Sequence, residues 1–512
     1  MTRPWMLAIF TGVILVFAFP PFGAGFAAWV AFVPLLLAVD GEPPGRSFVL
    51  ALVSGFVFFL GTVYWVVNSM YHYGGMGLGA SVPVMLLLVC YLSVYFGLFG
   101  LFFRSIRWAP PMGLVLLVPA LWVSLEYLRS HLFTGFPWIL LGYSQVPYLP
   151  LVQISDVTGV WGISYLVMAV NTSLYLYAKR LRGGTGPRPV KEAAVALVMV
   201  AASVAYGYAR IGEVDAKTAS WKPIDVAVAQ GNIDQGVKWD ASYQKATLDI
   251  YRELTVEAGK RGSELIVWPE TAVPFYLEED GKRQLVSGIV REGGGYLLTG
   301  SPAYDYNIDT GKIDFFNSAY LLGPPGRVIG RYDKVHLVPY GEYVPLKRFF
   351  PFIKKLTAGV GDFSSGPGPM PMDFERGAIG TIICFEAIFP ELSRGAVMKG
   401  ATVLINITND AWFGKSAAPY QHFSMAVLRA VENRVFLLRA ANTGISAVVD
   451  PAGRVRHKTR LFEKDLLTDT IGLKGGLVTI YTRYGDVFAY LCMAFSGAFI
   501  LIGFIIPPRA GD

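Results

Sequence analysis

The 512-residue chain holds three cysteines, and one of them stands where a thiol could react. Cys90 and Cys492 fall inside long apolar blocks, where cysteine is by default a small buried apolar residue. Cys384 follows Thr381-Ile382-Ile383, which reads as the end of a buried strand, and precedes Phe385-Glu386, so it sits at a strand-to-loop junction. No second cysteine shares its region, so no disulfide partner is available there. Alone, such a thiol would read as an inert core residue. Two other groups change that. Glu270 closes another apolar run in Val267-Trp268-Pro269-Glu270, and Lys334 lies in Tyr332-Asp333-Lys334-Val335-His336-Leu337, ahead of Pro339-Tyr340-Gly341-Glu342. A thiol, a carboxylate and an ammonium, each just beyond an apolar strand, could converge at the mouth of one sheet. The chemistry would be acyl transfer. The carboxylate takes the thiol proton, the thiolate attacks an acyl carbon, and the ammonium stabilises the thiolate and the tetrahedral oxyanion. Each such group typically supplies a factor of roughly 100–1,000. His422, in Tyr420-Gln421-His422, reads as a satisfied polar histidine before it reads as a base or ligand. Trp239, Trp412 and Phe385 have core packing as an alternative role. No histidine cluster or paired-cysteine motif suggests a metal, no glycine-rich phosphate loop is present, and no cofactor is expected.

The strands that must position these groups lie between about residues 220 and 480. Ile224–Ala229, Leu265–Trp268, Tyr296–Thr299, Ser318–Leu322, Gly380–Ile383, Val403–Asn406 and Val435–Leu438 are short apolar runs. Residues 241–259 and 417–433 carry apolar residues at three- and four-residue spacings, the period of a helix. Strands alternating with helices predict sheets covered by helices, an α/β architecture. The stretch from Tyr343 to Met372 breaks the rhythm. Phe349, Phe350 and Phe352 mix there with Lys347, Arg348, Lys354 and Lys355, a composition suited to a mobile arm at a lipid surface or to a solvated loop.

The rest of the chain is of another class. Hydrophobic residues make up 53% and charged residues 16%, against a usual charged share of about 25%, so an ordinary soluble protein is excluded. Apolar blocks near 5–20, 23–40, 48–69, 79–103, 112–128, 157–178, 191–210 and 486–506 are each candidates for a membrane span of about 20 residues. The first two, joined by Phe19-Pro20-Pro21, could form a helical hairpin; seven further apolar blocks argue against a cleaved signal peptide. Alternate loops carry Arg46, then Arg104 and Arg107, then Lys179, Arg180, Arg182, Arg188 and Lys191, whereas the opposite loops, such as Tyr71–Gly75, are nearly free of cations. The positive-inside rule then puts the N-terminus in the cytoplasm and residues 211–485 outside. The same clustering explains the formal charge of +7 without nucleic acid. Loop 129–156, with Thr134-Gly135-Phe136-Pro137-Trp138, reads as an interfacial re-entrant segment or as a wall of a lipid-entry groove, and Glu126 and Arg129 as a structural pair at a helix end. Three regions follow: seven spans over 1–210, an external domain over 220–480, and a last span at 486–506.

The segments Trp268-Pro269-Glu270, Asp333–Leu337 and Ile383–Glu386, in this order, resemble the Glu-Lys-Cys triad of the nitrilase superfamily, and Asn409–Gly414 and Arg429–Arg434 also match it. Seven spans before that domain and one after narrow the resemblance to the apolipoprotein N-acyltransferase family, as do Leu132–Trp138 and Gln230-Gly231-Asn232-Ile233. The resemblance covers essentially the whole chain and implies an α-β-β-α sandwich over about 220–470. It implies Glu270 as base, Lys334 as oxyanion stabiliser and Cys384 as nucleophile. Trp239 matches a functionally important tryptophan, and Glu342 and Glu386 match two essential acidic positions. Phe385 departs from the tyrosine usual after the nucleophile but keeps an aromatic face. The implied reaction moves an acyl chain from a glycerophospholipid (the sn-1 chain of phosphatidylethanolamine) through a Cys384 thioester to the α-amine of a diacylglyceryl-cysteine apolipoprotein. The implied place is the bacterial inner membrane, with the active site on the periplasmic face. A membrane-tethered amidase or hydrolase using water, and a non-enzymatic lipid-binding protein with an inert domain, are the other readings the residues leave open.

Overall fold

In lipid, long apolar runs can satisfy their own backbone groups as helices, and the regular elements described before Lys222 are all helical. The computed structural model describes every residue except 1–2, 184–186, 237, 239, 310, 344–361 and 506–512. The chain divides into two units. One comprises Met1–Val67, Gly79–Ile211 and Tyr484–Asp512; the other comprises Asn68–Leu78 and Gly212–Arg483.

Among the described residues, Pro44–Val63, Leu78–Ile106, Pro111–His131 and Val190–Thr218 are helices long and apolar enough to cross a membrane. Arg3–Ala18, Gly25–Val39 and Val487–Gly503 are shorter apolar helical stretches. Pro44 and Pro111 open their helices, where a missing N–H costs nothing. Within the helical unit, cations from three separate parts of the chain gather around two carboxylates. Lys179 lies 2.9 Å from Asp40 and Arg107 4.0 Å from it, while Arg46 pairs with Glu42 at 3.2 Å. The loop after His131 is held from the preceding helix. Glu126 accepts the Leu141 N–H at 2.6 Å, and Arg129 donates to the carbonyls of Phe136 and Trp138 at 3.1 and 2.9 Å. Both charges therefore brace the loop's backbone, and Trp138 is fully buried beside Trp65 at 4.8 Å.

Among the described residues, the second unit is built on two six-stranded sheets. The strands, in chain order, are β1 (Lys222–Gln230), β2 (Leu265–Val267), β3 (Tyr296–Asn307), β4 (Lys312–Leu322), β5 (Val328–Asp333) and β6 (Met372–Phe374). They continue with β7 (Gly377–Ile383), β8 (Val403–Thr408), β9 (Leu437–Ala441), β10 (Ala447–Val449), β11 (Val455–Lys458) and β12 (Asp465–Leu473). One sheet runs β12-β1-β2-β3-β4-β5 and the other β11-β10-β9-β8-β7-β6. Each has a parallel core of three strands, β1-β2-β3 and β7-β8-β9, flanked by antiparallel neighbours. The sheets meet face to face through β1 against β9 and β4 against β7. Helices Ala241–Lys260 and Asp280–Gly293 cover the first sheet, and Pro390–Met398 and Ala418–Asn433 cover the second. This is the four-layer α-β-β-α sandwich that the sequence resemblance implies. Strands buried on both faces must be apolar nearly throughout, as Val226 to Ala229 and Val403 to Ile405 are. Under the outer helices, Tyr251 stacks on Trp268 at 4.9 Å, and the Trp268 indole donates to Thr255 at 2.9 Å. That contact fixes the end of β2 two residues before Glu270.

Candidate active site

Open α/β sheets place chemistry beyond the carboxyl ends of their parallel strands, and two of the three sequence candidates lie there. Glu270 follows β2 through a tight turn in which Thr271 takes a left-handed conformation, φ +51°. Gly300 of β3 lies directly against this turn. A Cβ at that position would sit 2.3 Å from the Thr271 nitrogen and 2.8 Å from the Glu270 Cα, so only glycine fits. The Glu270 carboxylate is 6% exposed. Its Oε1 accepts from the Asn317 amide at 2.8 Å and faces the Lys334 ammonium at 3.9 Å. Its Oε2 is buried with no hydrogen-bond partner among the described residues. The main-chain carbonyl of Glu270 accepts from a second buried lysine, Lys238, at 3.1 Å.

Lys334 follows β5, and its N–H donates to the Asn317 carbonyl at 2.9 Å. Its ammonium, 1% exposed, lies 3.0 and 2.9 Å from the two oxygens of Glu342. Glu342 is oriented in turn by the Val338 N–H at 2.8 Å and the Asn317 amide at 2.9 Å. Asn317 thus bridges the two carboxylates that flank the lysine. Burial alone would lower the Lys334 pKa, but the charges of Glu342 and Glu270 outweigh it and raise it above the ordinary value, so the residue stays cationic. Lys238 has less compensation, and burial brings it down to about 8 despite Glu270 and Cys384.

Cys384 follows β7 and is 7% exposed. Its backbone is left-handed, φ +52°, a conformation that costs a non-glycine residue of order 1 kcal/mol and needs external support. Burial pushes the thiol up to about 12; the Glu270 carboxylate adds to this and Lys334 opposes it. The sulfur therefore rests as a thiol at neutral pH. Two residues on, Glu386 is fully buried. One of its oxygens accepts from the N–H groups of Val335 and His336 at 2.7 and 3.1 Å, the other from the Ile383 N–H at 2.7 Å, and the Tyr332 hydroxyl reaches both. Burial brings its carboxyl up to about 7 against these donors and Lys334. Val335 adjoins Lys334 and Ile383 adjoins Cys384, so Glu386 ties the ammonium of one sheet to the thiol of the other.

Glu270, Lys334 and Glu342 are thus in direct contact, Cys384 feels the charges of the first two, and Glu386 acts behind them. The Phe385 ring packs 5.3 Å from Phe389 and 6.1 Å from His336. Trp239 lies outside the described residues, as does most of the aromatic, basic stretch, residues 344–361. Trp412 is half-buried, with its carbonyl bonded by Asn68 and Ser69 at 3.0 and 2.8 Å and its ring 5.1 Å from Tyr73. Sequence reasoning missed Asn317, Lys238 and Gly300. The signals were faint: an asparagine within the apolar Phe315-Phe316-Asn317-Ser318-Ala319 run, and a lysine in a stretch read for its tryptophan.

The Apolipoprotein N-acyltransferase N-terminal domain family matches residues 11–173, and the Carbon-nitrogen hydrolase family matches residues 225–476. The apolipoprotein N-acyltransferase of Geobacter metallireducens is 45% identical over 500 residues, spanning 96% of this chain and 94% of that protein. The chain belongs to the apolipoprotein N-acyltransferase family. The member from Methylococcus capsulatus is 34% identical over 493 residues, covering 94% of this chain and 93% of its own. Among solved structures, Saccharomyces cerevisiae Nit3, a member of branch 10 of the nitrilase superfamily, aligns with 49% of this chain and 90% of its own at 21% identity and a TM-score of 0.39.

Proposed function

We propose that this family member moves an acyl chain from a membrane glycerophospholipid, with phosphatidylethanolamine as donor, to the N-terminal amine of a diacylglyceryl-cysteine apolipoprotein, in two steps through a thioester on Cys384. In the first, Sγ attacks the ester carbon while Glu270 takes the thiol proton. The oxyanion develops beside Lys334, and collapse expels the lysophospholipid, whose oxygen regains the proton from Glu270. In the second, the α-amine, with an ordinary pKa near 8, attacks the thioester carbon and gives its proton to Glu270. Collapse then releases the thiolate, which takes that proton back, and the amide leaves.

The observation that carries this reading is the buried Oε2 of Glu270, without a hydrogen-bond partner among the described residues, in a carboxylate held 3.9 Å from an ammonium whose own charge Glu342 balances. A base with one oxygen fixed and one open is equipped to accept a proton and return it twice per cycle. The enclosure of Cys384 supports transfer over hydrolysis, because water would otherwise compete for the thioester. The apolar helices of the other unit support substrates drawn from a membrane, and the cations gathered around Asp40 and Glu42 support a cytoplasmic end there, with the catalytic unit on the periplasmic side of the inner membrane.

The test is the intact mass of the full-length protein in detergent after incubation with phosphatidylethanolamine, beside Cys384→Ser. An added acyl mass, removed by neutral hydroxylamine and absent from the variant, is the expected result. Lysophospholipid accumulating without an adduct, or without an acylated amine once apolipoprotein is added, would replace transfer with hydrolysis.

A further inference from the structure

The Cys384 carbonyl is buried, belongs to a strained residue, and meets His422 Nε2 at 3.0 Å. His422 lies on the helix Ala418–Asn433 and is itself fully buried. Its Nδ1 lies 3.1 Å from Asp410 Oδ1 and 3.1 Å from Arg439 Nη2. Arg439 also donates to Asp410 Oδ2 at 2.8 Å and to the side chain of Asn406, and the Thr408 hydroxyl donates to Asp410 Oδ1 at 3.0 Å. The Phe413 ring stands edge-on to the imidazole at 6.0 Å.

From this geometry we infer that His422 is a positioning residue for the nucleophile: held at Nδ1 by Arg439, which Asp410 orients in turn, it presents an Nε2–H to the Cys384 carbonyl and so fixes the Cys384–Phe385 peptide in its left-handed turn. The inference rests on Cys384 being the acyl carrier. The tautomer follows from the partners. A carbonyl only accepts, so Nε2 must carry the hydrogen. A neutral ring then has an acceptor at Nδ1, which suits Arg439, whose fork only donates. Burial and Arg439 both lower the His422 pKa, outweighing Asp410, in keeping with a neutral ring.

The peptide plane supplies the consequence. A trans peptide sets the Cys384 C=O and the Phe385 N–H in opposite directions, so a bond that fixes one aims the other. It also fixes the direction in which Cys384 projects its sulfur towards Glu270 and Lys334. No proton passes from His422 to sulfur in this role, and Asp410 and Arg439 remain ion-paired whether or not the imidazole is present.

Three variants separate this role from general support of the core. Glutamine places an amide N–H about where Nε2 stands, asparagine reaches only the Nδ1 position, and leucine offers neither. In the full-length protein we measure the single-turnover rate of Cys384 acylation, the second-order rate of Cys384 alkylation by iodoacetamide, and the midpoint of thermal unfolding. Acylation is expected to fall about 100-fold in His422→Leu, as for a displacement of roughly 1 Å at the reacting atom, and to stay within about tenfold of the parent in His422→Gln. His422→Asn should resemble leucine. Asparagine retaining the rate while glutamine loses it would overturn the inference and make the Asp410–Arg439 side the important contact, as would full acylation in folded His422→Leu. Where leucine does not fold, the glutamine–asparagine comparison decides. Alkylation keeps the test independent of the proposed function: if the parent protein never acquires an acyl group, that reading fails, while the order of alkylation rates still tests His422.

Discussion

Gly300→Ala alters no charge, removes no hydrogen-bonding group, and lies outside the set of residues a chemist would choose, yet it should disable the site. The added Cβ would lie 2.3 Å from the Thr271 nitrogen, against an ordinary contact of at least 3.4 Å. Its other neighbours, the Glu270 Cα and carbonyl carbon, are main-chain atoms that no side-chain rotation can clear. The turn must therefore retreat by about 1 Å, carrying Glu270 with it, out of line with Lys334 and Cys384. A displacement of that size costs roughly 100-fold in rate, or about 2.7 kcal/mol of activation free energy. Overpacking should also lower stability by about 1–3 kcal/mol. Single-turnover acylation of the full-length protein, followed by intact mass, reads the first effect, and thermal unfolding reads the second. Gly288→Ala is the control. It lies in the helix Asp280–Gly293 with nothing within 4 Å of its Cβ, and should raise stability by about 0.5–1 kcal/mol without changing the rate. If Gly300→Ala acylates within threefold of the parent while folded, the position of Glu270 does not govern catalysis, and the base must be sought elsewhere.

Glu270→Gln should separate acidity from catalysis: removing the carboxylate that helps raise the Cys384 thiol lets iodoacetamide alkylation begin at lower pH, while acyl transfer falls by about 1,000-fold for want of a base. An alkylation midpoint that rises instead would refute the electrostatic account. Glu386→Gln retains one acceptor oxygen where the carboxylate served three N–H groups and a hydroxyl, so at least one buried donor is left facing an amide N–H. The loss should be about 2–4 kcal/mol in chemical denaturation, and an unchanged midpoint would show the tie between the sheets to be dispensable. Lys238→Met should stabilise the protein at neutral pH. The folded-state pKa of about 8 lies below the ordinary 10.5, so the folded state holds fewer protons between those values. The burden of burying the cation is therefore full below pH 8 and gone by about 10.5. The gain, at most about 3 kcal/mol at pH 7 and reduced by the lost bond to the Glu270 carbonyl, should fade across that window in melting curves. A difference independent of pH would mean that Lys238 holds its proton equally in the folded and unfolded states.

The parts of this molecule legible in the sequence are those written in local pattern. Buried parallel strands need nearly continuous apolar residues, so all seven strand-like runs named from the sequence overlap strands, Val435–Leu438 only in its second half, and the two helical stretches become Ala241–Lys260 and Ala418–Asn433. Cys384, Glu270 and Lys334 stood out because each interrupts or ends such a run. β6 and β10, each only three residues long, were not foreseen, and neither were β5, β11 and β12. The last three are edge or near-edge strands with half-exposed faces, and polar residues such as Arg331, Asp333, Arg456 and Asp469 break their apolar runs. Asn317, Lys238 and Gly300 were missed for a different reason. Their importance comes from what lies across a sheet or a turn from them, and no spacing along the chain encodes that. Glu126 and Arg129 show the same limit: their i, i+3 spacing suggested a mutual pair, whereas each bonds the backbone of a loop that follows.

β1 finds its antiparallel partner in β12, with Lys222 opposite Leu473 and Gln230 opposite Asp465. The first strand of the catalytic unit is therefore completed by its last. During synthesis at about 5–20 residues per second, β1 waits on the order of 10–50 s for the strand that covers its edge. Through that interval an apolar edge is open to mispairing with any other extended chain, and the loop to be closed is among the longest the unit contains. The arrangement also delays the onset of reactivity. Lys334 and Cys384 are brought into register by contacts between sheets, so a partly made chain carries a thiol and a carboxylate but no competent site. A nascent chain of this kind would hold no assembled site until β7 and Glu386 have packed against the first sheet.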